Sequence, residues 1–168
     1  MYPQDGTAAS LAHVTAGDIM SSPVVTVPAD ASTQRVAETL TRHRISAAPV
    51  VNEAGALLGI VSEHDLLSKT GAVASDLMTT AVLSVTADSA ADDIRHLLID
   101  RRIRRVPVVQ EGRLVGIVSR HDLVAAMATE WVCQVCGEPA RGERPPGMCP
   151  RCHATGEQFV LQEQPPGT

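Results

Sequence analysis

Aromatic residues are almost missing from this chain, which has one Trp, one Tyr and one Phe among 168 residues. Most of any core must therefore be built from Val, Ile, Leu and Ala. Two of the three aromatics, Trp131 and Phe159, lie in the last forty residues, so composition shifts near residue 129. An excess of positive charge is also lacking, the formal net charge being −5. Before residue 129 there are eleven basic side chains against fourteen acidic ones; after it Arg141, Arg144 and Arg151 face five glutamates. Neither part offers the basic field that a nucleic acid or an anionic membrane would need. No run of eighteen apolar residues exists, which excludes a transmembrane helix. The opening MYPQDGTAASLAHVTAG has neither the basic start nor the apolar stretch of a secretory signal. A cytoplasmic setting is expected, and there cysteines serve as metal ligands more often than as disulfides. Hydrophobic residues still make up 44% of the chain, enough for a core and too many for wholesale disorder.

The dominant feature is an internal repeat. PVVNEAGALLGIVSEHDL, from Pro49, aligns with PVVQEGRLVGIVSRHDL, from Pro107, with 13 of 17 columns identical after one gap. Upstream the match continues at an offset of 58, with Asp18-Ile19-Met20 against Asp76-Leu77-Met78 and Val24–Asp30 against Val82–Asp88. Each copy starts with a short extended run, Val24–Val27 or Val82–Val85. A helical pattern follows, carried by Val36, Leu40 and Ile45 in the first copy and by Ile94, Leu97 and Leu98 in the second. Two β-rich runs come next, Ala48–Val51 with Leu57–Val61 around Asn52-Glu53-Ala54-Gly55, repeated by Pro107–Val109 and Leu114–Val118 around Gly112. A last helix starts at Ser62 or Ser119. The expected architecture is mixed α/β (α+β), with two β-α-β-β-α units packed as a pair. One copy of about 55 residues would bury too little surface to be stable alone.

The D-[IL]-M start, the PVV strand and the G-I-V-S-x-H-D ending, each present twice in order, resemble the CBS (cystathionine-β-synthase-type) domain, and the tandem resembles a Bateman module. That resemblance implies a non-catalytic regulatory module that binds adenosyl ligands such as AMP or ATP. It also implies a homodimer and an unidentified regulated protein partner. The expected boundaries are a tail at 1–16, CBS domains at 17–70 and 74–128, a metal ribbon at 129–163 and a tail at 164–168.

Ser62-x-x-Asp65 and Ser119-x-x-Asp122 stand where strand gives way to helix. Read locally, each is a capping box, with Ser capping the helix and the acid in its first turn. The same geometry suits a ligand, because a carboxylate accepts from both hydroxyls of a ribose cis-diol and helix-start N–H groups can meet a phosphate. The family resemblance implies that Asp65 and Asp122 bind ribose and that Ser62 and Ser119 contact sugar or phosphate. Either copy could then hold the sugar. With no aromatic residue in the repeats, adenine would lie against aliphatic side chains.

The cations are less evenly shared. Arg104, Arg105 and Arg120 of the second copy stand opposite Ser46, Ala47 and Glu63 of the first. Arg102-Ile103-Arg104-Arg105-Val106-Pro107 can be the solvated, charged end of a helix. Alternatively, basic residues just before the Pro-Val strand resemble phosphate ligands in the regulatory gamma subunit of AMP-activated kinase. His64 and His121, beside the motif acids, are equally open between surface and phosphate contact.

All four cysteines fall in Cys133-x-x-Cys136 and Cys149-x-x-Cys152, with twelve residues between the pairs. Each pair supplies half of a tetrahedron, which predicts one structural or redox-active metal per chain with no position open for water chemistry. Sulfur-only tetrahedra suit zinc and iron alike. The segment also resembles the rubredoxin-like tail of rubrerythrins through Gly137, Gly142, Pro145-Pro146, Cys149-Pro150 and Phe159. Glu138 and His153 depart from that pattern, standing where an aromatic and a glycine are usual. No acidic helices that could hold a di-iron centre accompany it. The resemblance leaves a second function open, a one-iron electron-transfer or redox-sensing protein with the repeats as scaffold. Trp131 and Phe159 are expected to form the ribbon's small core, and Met127–Glu130 to extend the preceding helix towards it.

Overall fold

The D-[IL]-M start of each repeat closes a one-turn helix on itself. In the computed structural model, which describes residues 11, 14–142 and 144–162, the first such turn is α1 (Ala16–Ile19). The Asp18 carboxylate accepts from the Thr15 N–H and hydroxyl, both at 2.9 Å, so the motif acid, third in the helix, reaches back to the N-cap residue. The elements then run β1 (Val27–Pro28), α2 (Thr33–His43), β2 (Ala47–Val51), β3 (Leu57–Ser62) and α3 (Glu63–Ser68). The second copy repeats them as α4 (Ala74–Leu77), α5 (Ala91–Asp100), β4 (Arg105–Gln110), β5 (Arg113–Ser119) and α6 (Arg120–Ala128). The last segment adds β6 (Glu130–Cys133), β7 (Pro139–Arg141) and β8 (Phe159–Leu161).

The extended runs at the start of each copy form less strand than their valines suggest. Only Val27 and Pro28 pair, in parallel with Val50 and Val51, while Val85 makes a single parallel bridge to Val108. The sheets are β1-β2-β3, β4-β5 and β7-β6-β8. Helix α2 is capped by Ser32, whose hydroxyl accepts the Arg35 N–H. It stops at Arg44, which adopts a left-handed φ of 53° while Ile45 N–H returns to the Leu40 carbonyl. Arg102 repeats this at φ 53°, with Ile103 N–H on the Leu98 carbonyl. Part of the arginine run is thus the end of α5, as the local reading allowed. The helix before the ribbon ends sooner than its pattern suggests. Helix α6 stops at Ala128, and Glu130 opens β6, where it pairs with Arg141 both in register and as a 2.8 Å ion pair.

The described residues divide into two compact units, one of residues 21–86 and 107–117, the other of those up to 20, from 87 to 106 and from 118 on. In the first, Val27, Val36, Leu40, Ala48, Val50 and Val61 of copy one pack with Ala74 and Leu77 of α4. The entry turn of copy two therefore completes the core of copy one. Backbone bonds fix it there, Ala74 N–H to Ala31 O at 2.8 Å and Ser75 N–H to Ala29 O at 2.9 Å. The other unit shows the counterpart, with Ala16 N–H bonded to Ser89 O and Gly17 N–H to Ala87 O, both at 2.8 Å. Within that unit α6 packs against α1, α5 and β7, and Ile19, Ile94, Leu98, Val106, Val118 and Ala126 are fully buried. Each entry turn is thus exchanged with the other copy's core.

Candidate metal centre and nucleotide motifs

Two tight turns build the metal site. Cys133, at the end of β6, receives the Gly137 N–H on its carbonyl at 2.8 Å, and Gly137 takes φ 75° to close the turn. In the second turn His153 N–H reaches the Cys149 carbonyl at 3.0 Å with φ 62°. His153 thus occupies the left-handed position that favours glycine, which gives its departure from the rubredoxin-like pattern a conformational cost. The turns bring Cys133 Sγ to 3.7 Å from Cys152 Sγ and Cys136 Sγ to 3.6 Å from Cys149 Sγ. All four sulfurs lie within 4.8 Å of one another. A tetrahedron with metal–sulfur bonds of about 2.3 Å has edges of about 3.8 Å, so the donor set fits one zinc or iron ion. The separations are far too long for disulfides, whose sulfurs lie about 2.05 Å apart.

The thiols are electrostatically interdependent. Burial would raise Cys149, but N–H groups of Cys152 and Arg151 outweigh it and bring the thiol down to about 7. At Cys136 the N–H of Glu138 favours the thiolate, yet burial and the three neighbouring sulfurs push it up to about 12. Four thiolates at this spacing thus call for a cation. Phe159 is buried behind the sulfurs with Trp131 packed beside it, and Trp131 Nε1 donates to Gly142 O at 2.8 Å. The ribbon is tied to the end of α6 by Arg141, whose guanidinium donates to the Met127 carbonyl at 2.8 Å.

The two Ser-x-x-Asp motifs form the capping boxes read from the sequence. Asp65 Oδ2 accepts from the Ser62 N–H and hydroxyl, both at 2.8 Å; Asp122 Oδ2 accepts from Ser119 N–H at 2.6 Å and its hydroxyl at 2.9 Å. Both acids are largely buried, at 5% and 6% exposure, and point back into their own turns. They differ at the other oxygen. Asp65 Oδ1 holds Lys69 Nζ at 2.7 Å, and the same ammonium donates to the Leu77 carbonyl at 2.9 Å. Burial would raise the Asp65 carboxyl, but Lys69, then Ser62, hold it below the usual carboxylate range. Lys69 has Ala126 as its counterpart in the second copy. Sequence reasoning missed Lys69, although an Asp–Lys pair at i,i+4 on a helix is a readable signal.

Arg104 and Arg120 are brought to the second motif. Arg120 N–H bonds to the Arg104 carbonyl at 3.2 Å and its side-chain Nε to Ile103 O at 3.2 Å, beside the Ser119 cap. The first copy builds the same link from Glu63 N–H to Ser46 O at 2.9 Å, with an acid in place of the arginine. Arg104 and Arg120 are exposed, and Arg105 opens β4 half-buried. His64 and His121 are exposed.

Comparison with known proteins agrees with this architecture. The CBS-domain family model matches residues 16–70 and 74–129, and the chain belongs to that family. A second model, the rubredoxin-like domain of rubrerythrin, matches residues 131–160. The uncharacterized protein MJ1225 of Methanocaldococcus jannaschii is 31% identical over 120 residues, spanning 68% of this chain and 43% of its own length. The structure of Arabidopsis thaliana CBSX2 in complex with AMP is 31% identical, covers 68% of this chain and 96% of its own, and superposes with a TM-score of 0.65. The CBS domain pair of protein MJ0100, solved with 5-methylthioadenosine and S-adenosyl-L-methionine, is also 31% identical, covers 66% of this chain and 92% of its own, and has a TM-score of 0.61.

Proposed function

We propose that the protein is a non-catalytic regulatory sensor in which the CBS pair binds an adenosine-containing ligand and the ribbon carries one zinc or iron. The observation that carries this reading is the second motif. A buried carboxylate, a serine cap and exposed Arg104 and Arg120 meet where β5 turns into α6, joining a diol acceptor to phosphate-binding cations. Adenosyl ligands in similar CBS pairs support the ligand class. Arg105, next in sequence to Arg104, is the third cation of this set. A complete sulfur tetrahedron leaves the ion no open position, so it would supply structural stabilisation or one-electron chemistry rather than hydrolysis. No helix among the described residues is long and apolar enough to cross a membrane; a cytoplasmic setting is part of the proposed reading. A homodimer is supported by Leu67 and Val124, which occupy equivalent positions of α3 and α6 at 89% and 62% exposure. A regulated protein partner belongs to this reading.

Phosphate-dependent binding tests it. An arginine–phosphate contact is a charged hydrogen bond worth about 1.5–3 kcal/mol, or roughly ten- to a hundred-fold in affinity. Calorimetry should show AMP and ATP weakened by that factor in the Arg104→Ala/Arg105→Ala double variant while adenosine binding is retained. Unchanged AMP affinity would reduce the arginines to a solvated face. A second reading, electron transfer by a one-iron ribbon, is favoured by the rubredoxin-like match at 131–160. Purified protein that is red with iron supports it; colourless protein with full zinc removes it.

A further inference from the structure

The two ribose positions of the proposed sensor are not equivalent in this chain. A cis-diol needs a carboxylate oxygen whose lone pairs are available. At Asp65 one oxygen is taken by the Ser62 N–H and hydroxyl and the other by Lys69 at 2.7 Å. The ammonium is itself fixed, because it also donates to the Leu77 carbonyl at 2.9 Å, where α4 ends. A neutral hydroxyl replacing it would exchange an ion pair for a bond charged at the acceptor alone and leave an ammonium and a carbonyl to find new partners. At Asp122 the capping contacts are the same, but Ala126 carries no donor and the second oxygen has no partner among the described residues. The neighbouring charges point the same way, with Glu63 beside the first motif and Arg120 beside the second.

We infer that Lys69 closes the first copy's ribose position, so that the pair takes one adenosine-type ligand per chain, on Asp122. The inference rests on the nucleotide-sensor reading and adds which copy binds and what occludes the other. Loss of one charged hydrogen bond sets the handicap of the first position at about ten- to a hundred-fold. The pair is thereby a single-ligand sensor whose first motif serves the fold, tying α3 to the end of α4.

Calorimetry with adenosine, which removes phosphate contacts from the comparison, tests this on the full chain. Wild type is expected to bind one adenosine per chain. Lys69→Met, which keeps the aliphatic stem, and Lys69→Ala, which copies Ala126, should bind two, the added site within about ten-fold of the first. Asp122→Asn should lose the wild-type site, and Lys69→Met/Asp122→Asn should bind one. Two equal sites in wild type, or one site remaining in both Lys69 variants, would overturn the inference and leave the sensor reading standing. Weaker binding in both Lys69 variants would also overturn it, since Lys69 would then be helping to hold ligand. Absence of adenosine binding throughout would remove the sensor reading and this inference with it.

Discussion

Cys149→Ser is expected to abolish stoichiometric metal and unfold residues 130–162 while leaving the CBS pair folded. The ribbon has little else to hold it, since Cys133, Cys149 and Phe159 are its only buried hydrophobic residues among those described. Such segments draw their folding free energy from the ion, on the order of 10–16 kcal/mol for zinc in comparable peptides. Removing one of four thiolates leaves three sulfurs and a hydroxyl that is a poor ligand at neutral pH. The chain's single Trp makes the result easy to read, because Trp131 lies in β6 with its indole N–H on the Gly142 carbonyl. Its emission should shift to that of a water-exposed indole, and metal analysis should fall from one ion per chain to near none. Full metal content in the variant would contradict the four-cysteine assignment.

Leu77→Ala should destabilise the first unit by about 2–5 kcal/mol, the cost of a large-to-small change in a closed core. Leu77 belongs to the second repeat in sequence, yet it is 1% exposed among Val27, Val36, Leu40, Val50 and Val61 of the first. For the same reason a fragment ending at Lys69 should not fold. It would lack Ala74 and Leu77, the backbone bonds to Ala29 and Ala31, and the Leu77 carbonyl that receives Lys69. Denaturation monitored by circular dichroism checks both. A fragment to Lys69 with a cooperative transition, or a Leu77→Ala chain as stable as wild type, would show that the exchanged turn is not part of the core.

The exchange of entry turns illustrates what sequence reading reaches and where it stops. The repeat, its paired D-[IL]-M starts, the capping boxes and the cysteine spacing are local patterns, and each is expressed in the structure where the residues predict it. An alignment of the two copies equates Ile19 with Leu77 but carries no information on which copy each packs into. Only three-dimensional closure decides that, because both placements bury the same apolar side chain. The β-branched run Val24–Val27 promised more strand than forms, since pairing depends on a neighbour and only Val27–Pro28 has one in β2. Asp65 and Asp122 looked interchangeable because their motifs are identical; the difference lies four residues on, at Lys69 and Ala126, outside the motif. His153 was legible as an anomaly, and its left-handed φ supplies the physical meaning.

The most direct test of the whole account is a native mass spectrum of gently purified full-length chain, recorded before and after incubation with AMP. A dimer carrying one zinc or iron per chain and one AMP per chain is expected. The AMP should be lost in Asp122→Asn and the metal in Cys149→Ser. A chain that is metal-free at every stage and takes up no AMP would contradict the account at both of its sites.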